Sequence, residues 1–351
     1  MSIVPCGAHN GALPMRTGLT RRHAIGGACL LTAPAFRRAS AQQGIRFICP
    51  FPAGGIVDTV MRGMADELGE ALQQTVLIDN RPGANGALAM RQLLAAPPDG
   101  RTWAMATLGS TLGMMTNPAA AGSLRDVQAV ALVATDISVL VVPAASPFDG
   151  LAQLLGEAAR KPGGLSYLRT GEASLAHLVV GCLSRGAEAE VLAVDYRGQP
   201  AGIVDLLAGR IDLAVLNIGL AVPHIRDRRL RPLALVGARR AAALPEVPTL
   251  QELGFTDANV ESWAMAVVRA GTPPGRLGAV SRAFQSALSK DAVRARLADA
   301  GVIPADAGGV GEAALRLMRA AARSGRLLAA IGLGAAAGAS SADACRAPGR
   351  Q

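Results

Sequence analysis

From residue 44 onward, short apolar runs alternate with longer stretches in which apolar residues recur at helical spacing. Residues 45–49 read Ile-Arg-Phe-Ile-Cys, which is typical of a strand that enters a core. Pro50 and Pro52 end this strand, because neither has an N–H group to donate to a neighbouring strand. A helix is predicted next, and its apolar face comprises Val57, Val60, Met61, Met64, Ala65, Leu68 and Leu72.

Gly54 and Gly55 lie between that strand and that helix. Glycine adopts backbone angles closed to other residues and leaves room for a close ligand. The start of a helix also offers unpaired N–H groups and the positive end of its dipole, which attract anions. The sequence therefore predicts an anion site at this turn. The alternative is a strand-to-helix turn without a ligand, since two adjacent glycines are a weak motif.

The same alternation continues and predicts a parallel sheet. Residues 75–78 and 102–107 are predicted strands, and residues 87–95 are a predicted helix between them. Strands and helices in this order, with short loops, are typical of parallel sheets with right-handed crossovers. Ligands of such sheets lie beyond the carboxyl ends of the strands, here residues 51–55 and 107–111.

The rest of the chain is also α/β in character, and we expect two lobes joined by two crossings that close around a solute by hinge motion. The expected lobes are residues 42–140 with 238–333, and residues 141–237. The further predicted strands are 129–134, 138–142, 165–168, 191–194, one that begins within 209–213 and closes at Asn217, and 230–236. The further predicted helices are 151–159, one that carries Ser174 and His177, 203–208, one that ends at 228–229, 275–288, 291–300 and 311–328.

Three motifs in succession resemble one known family. They are Pro-Phe-Pro-Ala-Gly-Gly at 50–55 with Asp58, the loop Asn-Arg-Pro-Gly-Ala-Asn-Gly at 80–86, and Pro-Asp-Gly at 98–100. This order resembles the Bug/TctC family, the extracytoplasmic solute receptors of tripartite tricarboxylate transport systems, over residues 44–333. The resemblance implies a two-lobed, periplasmic-binding-protein-like (Venus flytrap) fold, and a solute carboxylate held on the first two loops, often through ordered waters.

The first 41 residues are typical of an export signal. Arg21 and Arg22 precede an apolar run at 24–35, and Ala-Ser-Ala at 39–41 predicts cleavage before Gln42. Twin-arginine export and ordinary secretion both fit, and translation could start at Met1 or Met15. The tail, residues 334–351, is rich in Ala, Gly and Ser, which predicts disorder.

Charge and composition exclude several classes of function. The formal net charge is +9, and removal of the five leader arginines leaves +4, a mild excess that could attract anionic solutes. No basic stripe carries interleaved aromatics, so we expect no nucleic-acid partner. We also expect no cofactor and no metal, because the histidines after the leader, His177 and His224, lack metal-type spacing.

Catalytic templates are equally scarce. The chain contains no Gly-x-Ser-x-Gly elbow, no phosphate-binding Gly-Lys-Ser/Thr loop and no His-Glu-x-x-His. Ser174 and His177 lie three residues apart on one helix face, so an exported serine hydrolase is the alternative to a receptor. A third interpretation is an effector domain of a transcription regulator, which the leader disfavours.

Binding of a carboxylate requires only hydrogen-bond donors such as backbone N–H groups and hydroxyls. We expect a non-enzymatic, monomeric periplasmic receptor for a di- or tricarboxylate, an acidic amino acid or an aromatic acid. It would serve uptake through a membrane carrier of the tripartite tricarboxylate type, or sensing. The candidate solute-binding residues are Phe51, Ala53, Gly54, Gly55, Asp58, Gly109, Ser110, Thr111, Arg169, Thr170, Gly171, Ser174, His177, Tyr196 and Asp212.

Three residues have two interpretations each. Asp58 either caps the helix and fixes waters or accepts from a ligand ammonium. Arg169, where the family usually has a small polar residue, either pairs with the far carboxylate of a solute or is solvated at the rim. Trp263 is either a cleft aromatic or a core residue. Cys182, like Cys49, is predicted to be buried and free rather than in a disulfide.

Overall fold

The computed structural model describes residues 44–172, 174–237, 239–306, 308–333 and Cys345. The predicted export signal and, apart from Cys345, the predicted disordered tail lie outside these residues. Within the described ranges, every helix is too short or too polar to cross a membrane.

Strands and helices alternate along the chain, as the sequence predicts. The strands are β1 (Ile45–Cys49), β2 (Val76–Asn80), β3 (Thr102–Thr107), β4 (Val127–Asp136), β5 (Ser138–Pro143), β6 (Leu165–Arg169), β7 (Val191–Asp195), β8 (Leu213–Asn217), β9 (Leu230–Val236), β10 (Ser262–Arg269) and β11 (Ile303–Pro304). The α-helices are α1 (Ile56–Leu72), α2 (Ala87–Ala95), α3 (Leu108–Thr116), α4 (Pro118–Ala121), α5 (Leu151–Arg160), α6 (Leu175–Ala187), α7 (Gln199–Leu207), α8 (Ile218–Arg226), α9 (Pro274–Ser289), α10 (Asp291–Asp299) and α11 (Val310–Ala330). The predicted bounds of β1, α2, β3 and β9 are confirmed to the residue.

The strands form two separate sheets. A six-stranded sheet has the order β11-β4-β10-β3-β1-β2, and a five-stranded sheet has the order β7-β6-β8-β5-β9. In the first sheet β1 runs parallel to β2 and β3, and in the second β6 runs parallel to β7 and β8. The predicted two-sheet α/β fold, with a parallel β-α-β-α-β beginning, is confirmed.

Both crossings between the sheets lie at the same end of the strands in each sheet. The chain passes from the first sheet to the second between Asp136 and Ser138, and returns between Val236 and Ser262. Asp136 is the register partner of Ser262, and Ser138 is the register partner of Val236. The two junctions therefore lie side by side.

The carboxyl ends of the parallel strands lie on this same side of each sheet. Thr107, the last residue of β3, pairs with Ala264 near the start of β10, and β1 runs parallel to β3. Asn217, the last residue of β8, pairs with Ser138, and β6 and β7 run in the direction of β8. The loops after β1 and β3 and the loops after β6, β7 and β8 therefore face the crossings from opposite sides.

A packed aromatic cluster anchors the first sheet. Phe47 and Trp103 are fully buried, with ring centroids 5.6 Å apart in an edge-to-face arrangement, and Phe284 of α9 contacts both rings. On α1, Val60, Met61, Met64 and Leu68 of the predicted apolar face are buried in the same core. This packing fixes the turn between β1 and α1.

One prediction about cysteines is confirmed and another is wrong. Cys49 is a buried free thiol, and burial raises its pKa to about 11. Cys182, however, forms a disulfide with Cys345, 163 residues away, rather than remaining free. The pairing depends on the position of Cys345 beside α6, which cysteine spacing cannot show.

Candidate functional site

The loop after β1 has the tight glycine turn that the sequence predicts. Gly54 has a φ of +80°, and a Cβ atom placed on it would meet no atom within 4 Å. The amides of Gly54 and Gly55, two of the candidate solute-binding residues, are however already paired within the turn. The Gly54 N–H donates to Asp58 Oδ2 at 2.9 Å, and the Gly55 N–H donates to the Pro52 carbonyl at 3.3 Å.

The open donors lie one position further along. Ile56 and Val57 begin α1, and their N–H groups have no acceptor among the described residues. The first turn of a helix carries the positive end of its dipole, so these donors suit an anion. Ala53 beside them is exposed.

Asp58 holds this loop in shape. It is 2% exposed and accepts hydrogen bonds from Gly54 N, Arg62 Nε at 2.9 Å and Asn80 Nδ2 at 2.8 Å. Burial alone would raise its pKa, but these hydrogen bonds outweigh burial and hold the pKa below its usual range. The carboxylate is thus occupied by its own loop, which favours the capping interpretation.

Asn80 completes the same network, and sequence reasoning missed it as an individual residue. Its Nδ2 also donates to the Phe51 carbonyl at 3.0 Å, so that carbonyl faces the network. Asn80 is the last residue of β2 and the first of the 80–86 motif, which was the available signal.

The second predicted loop, residues 109–111, is the first turn of α3. Thr107 and Ser110 form a capping box in which Ser110 Oγ accepts from Thr107 N at 2.9 Å and donates to the Thr107 carbonyl at 3.0 Å. Ser110 and Thr111 are buried, at 0% and 1% exposure. The Ser110 hydroxyl, a candidate for binding the solute, is therefore already satisfied within its helix.

Gly86 joins the two strand tips. Its φ is +94°, and a Cβ atom placed there would lie 2.8 Å from Ser110 Cβ and 3.3 Å from Pro50 Cβ. A Cβ atom on Gly109 would lie 2.8 Å from Asn85 Nδ2. The ends of β1, β2 and β3 therefore meet closely, and only glycine fits at their junction. Asn85 and Gly86 belong to the sequence motif at 80–86, but neither residue was predicted to lie in the site.

On the opposite sheet, Thr170, Gly171 and Ser174 follow the carboxyl end of β6, as predicted. Gly171 has a φ of +114° with open space around its Cα, and Thr170 is half-buried. Ser174 caps α6, because its Oγ accepts from the His177 backbone N–H at 3.3 Å.

Arg169 fits neither of its two interpretations. Its guanidinium makes two hydrogen bonds to Asp195, Nε to Oδ1 at 2.8 Å and Nη2 to Oδ2 at 2.7 Å. The arginine side chain is 18% exposed, so it is not a solvated rim residue. The hydrogen bonds from Arg169 hold the pKa of Asp195 below its usual range. An internal partner thus already neutralises the charge that a solute carboxylate would need.

His177 belongs to the same cluster and not to an activated serine. Its Nδ1 lies 2.8 Å from Tyr167 Oη and 3.3 Å from Arg169 Nη1. Burial and then the charge of Arg169 lower the pKa of His177. Ser174 meets only the backbone of His177, so this geometry gives no support to the hydrolase alternative. His177 and Tyr167 instead line a cavity of about 480 Å³ between α6, β7 and the end of α11.

The last two candidates, Tyr196 and Asp212, lie at opposite ends of the strands of the five-stranded sheet. Tyr196 follows β7 at the carboxyl edge, and its hydroxyl donates to Asp205 Oδ2 at 2.7 Å. Asp212 precedes β8 and accepts from the Ser166 amide at 2.7 Å and hydroxyl at 2.8 Å. Because Ser166 is near the start of β6, Asp212 lies at the amino ends of the parallel strands, on the side opposite the crossings. Its prediction as a cleft residue is therefore wrong.

Asp136 and Asn217 meet at the junction of the sheets, and neither was a candidate. Asn217 Nδ2 donates to Asp136 Oδ2 at 2.7 Å, while Asp136 Oδ1 is inaccessible to solvent and has no partner among the described residues. Burial raises the pKa of Asp136, opposed by Ser262 and Asn217. Nearby, Trp263 is 7% exposed within the core, which confirms the core interpretation. No group of three or more metal-binding side chains occurs in the described ranges.

Comparison with known proteins gives consistent matches over most of the chain. The family model described as the tripartite tricarboxylate transporter family receptor matches residues 60–333. A UPF0065 protein from a tcbD–tcbE intergenic region of a Pseudomonas species is 34% identical over 76% of this chain and 81% of its own length. BugT of Bordetella pertussis is 29% identical over 82% of this chain and 90% of its own length.

A solved structure has the same fold. Rpa4515 from R. palustris, solved with adipate, superposes with a TM-score of 0.72 at 26% identity, over 82% of this chain and 97% of that one.

Proposed function

This chain belongs to the family of tripartite tricarboxylate transporter receptors, and on that premise we propose that it is a periplasmic receptor for a small carboxylate. Its family and fold are those of substrate-binding receptors rather than enzymes. The proposed site is the space between the carboxyl ends of the parallel strands of the two sheets. The loops after β1 and β3 would hold the solute from one side, and the loops after β6 and β7 from the other.

One observation carries this proposal: Gly86 lets the tips of β1 and β3 meet with no side chain between them. The amides of Ile56 and Val57 then remain open beside this junction, at the positive end of α1. Several N–H donors around one space hold a carboxylate without any proton transfer. The predicted waters fit here too, because bridging waters cost at most ~2 kcal/mol each.

A relative supports the ligand class. Rpa4515, which shares the fold, was solved with adipate, a dicarboxylate. We extend that class to this chain as di- or tricarboxylates, acidic amino acids or aromatic acids. We further propose that the six-stranded and the five-stranded sheet are the cores of two lobes that close around the solute. The first boundary lies at Ile137 rather than at the predicted residue 140, because β5 belongs to the five-stranded sheet. We also propose that a membrane carrier of the tripartite tricarboxylate type receives the solute.

Thermal shift measurements on the purified chain from Gln42 onward test this proposal. Ligand at about 100-fold excess over its Kd should stabilise the fold by about 2.7 kcal/mol, and turnover of the same compound should be undetectable. The proposal is wrong if no carboxylate shifts the transition. Hydrolysis of esters that is lost in Ser174→Ala would instead establish the hydrolase.

A further inference from the structure

Helix α11 exposes a face that is apolar along one side and basic along the other. The inner face of this helix is buried in the core through Ala313, Leu317, Leu327 and Leu328. The outer face consists of the exposed residues Leu315, Arg316, Met318, Arg319, Ala322, Arg323 and Arg326. At about 100° of rotation per residue, its apolar members share an arc of roughly 60°, and its four arginines occupy the roughly 80° beside that arc.

The apolar side of the outer face forms a ridge. Met318 is 68% exposed and Leu315 is 46% exposed. The two side chains lie three residues apart on the helix, so they are neighbours on its surface. Isolated apolar residues on a surface are ordinary, but these two adjoin each other and border a row of arginines. The ridge is convex, so it suits a surface that the side chains can enter.

The basic side carries charge that the described part of the chain does not neutralise. Arg316 pairs with Glu312 at 3.1 Å, and Arg323 donates only to two main-chain carbonyls, at 2.9 and 3.0 Å. Arg319 and Arg326 have no hydrogen bond or ion pair with any described residue. Three of the four guanidinium groups thus lack a carboxylate partner there, and two of them have all their donors open.

An anionic phospholipid surface complements both sides of this face. Guanidinium groups bind phosphate oxygens through paired hydrogen bonds. Basic residues beside an apolar strip are typical of helices that lie in the plane of an anionic membrane surface. The net charge of +4 after the leader also favours an anionic surface over a second copy, which would bring an equal set of guanidinium groups to the contact. An acidic protein would need a groove that matches the ridge, whereas a lipid layer receives it without one.

We propose that the outer face of α11 is a membrane-docking surface that binds anionic phospholipid. Arg319 and Arg326 contact headgroup phosphates, and Leu315 and Met318 enter the boundary between headgroups and acyl chains. The helix lies on the membrane rather than crossing it. This inference does not depend on the proposed solute site, because the outer face includes no residue of the loops after β1, β3, β6 or β7.

Co-sedimentation of the chain from Gln42 onward with lipid vesicles tests this inference. The probes are vesicles of phosphatidylethanolamine with phosphatidylglycerol, which are anionic, and vesicles of phosphatidylcholine alone. The wild-type protein should bind the anionic vesicles about tenfold more tightly or better, and added salt should weaken that binding. Replacing both open arginines, Arg319→Gln with Arg326→Gln, should lower the affinity by about tenfold or more. Met318→Ser should lower it by about threefold or more, because an apolar side chain leaves the lipid.

Arg226→Gln with Arg229→Gln is the matched control, because it removes the same charge from two exposed arginines at the end of α8. The control should bind anionic vesicles like the wild type, and all variants should keep the wild-type affinity for a carboxylate.

The inference is wrong if the wild-type protein does not prefer the anionic vesicles, or if the control loses as much affinity as the variant of α11. Equal vesicle binding by Met318→Ser and the wild type would also overturn it. A dimer in solution that Met318→Ser dissociates would place a second copy on this face instead. The receptor function stands or falls separately, on the binding of carboxylates.

Discussion

Asn217 Nδ2 lies 2.7 Å from Asp136 Oδ2, so one hydrogen bond joins the end of β8 in the five-stranded sheet to the end of β4 in the six-stranded sheet. Ser138, which begins the crossing strand β5, is the register partner of Asn217. The bond therefore lies at the junction about which the two sheets would move. This hydrogen bond is short and largely buried, and it lies where the parallel strands of both sheets end.

Gly86→Ala should disrupt the junction of the strand tips. The new Cβ would lie 2.8 Å from Ser110 Cβ, and the residue would be held at a φ of +94°, so both contact and backbone are strained. We expect affinity for the carboxylate to fall by about tenfold or more, with a lower melting temperature.

Gly156→Ala is the control for that experiment. Gly156 is exposed within α5, and a Cβ there meets no atom within 4 Å. This variant should gain up to about 1 kcal/mol of stability and bind like the wild type. Equal affinity in Gly86→Ala and Gly156→Ala would remove the strand tips from the site.

Asp58→Asn should make the stability of the protein less dependent on pH in the acidic range. In the folded state hydrogen bonds outweigh burial and hold the pKa of Asp58 below its unfolded value. The contribution of the carboxylate to stability is therefore complete above the unfolded pKa and is lost as the pH falls through the lower folded pKa. The difference in melting temperature between wild type and variant should be largest near neutral pH and narrow below about pH 4. A difference that is constant from pH 7 to pH 2 would contradict this role.

Arg169→Gln should raise the pKa of His177. The charge of Arg169 contributes, after burial, to the lowered pKa of this histidine, so its removal favours the imidazolium form. Only His177 and His224 follow Gln42, so NMR titration can resolve both. An unchanged pKa of His177 in the variant would show that the cluster of His177, Arg169 and Asp195 does not form.

The disulfide predicts a specific count of thiols. After denaturation without reduction, the chain from Gln42 onward should show one reactive thiol, that of Cys49, and after reduction it should show three. Cys345→Ser should lower stability by about 2–4 kcal/mol, the usual effect of losing a disulfide. Three reactive thiols before reduction would rule out the bond.

Local patterns were sufficient for the fold, because strand alternation, helical periodicity and glycine turns are signals of adjacent residues. The pairing of Arg169 with Asp195 was hidden, since it depends on the parallel register that sets these residues side by side in β6 and β7. The placement of Asp212 was recoverable, because a residue that precedes a parallel strand lies at the opposite edge from one that follows it. The contact of Asp136 with Asn217 required both sheets and their crossing.

Mass spectrometry of the ligand carried through gentle purification tests the central claim most directly. We expect one small carboxylated molecule per chain in the wild-type protein, and its loss in Gly86→Ala. A bound molecule without a carboxyl group, or a carboxylate retained equally by Gly86→Ala, would contradict the account.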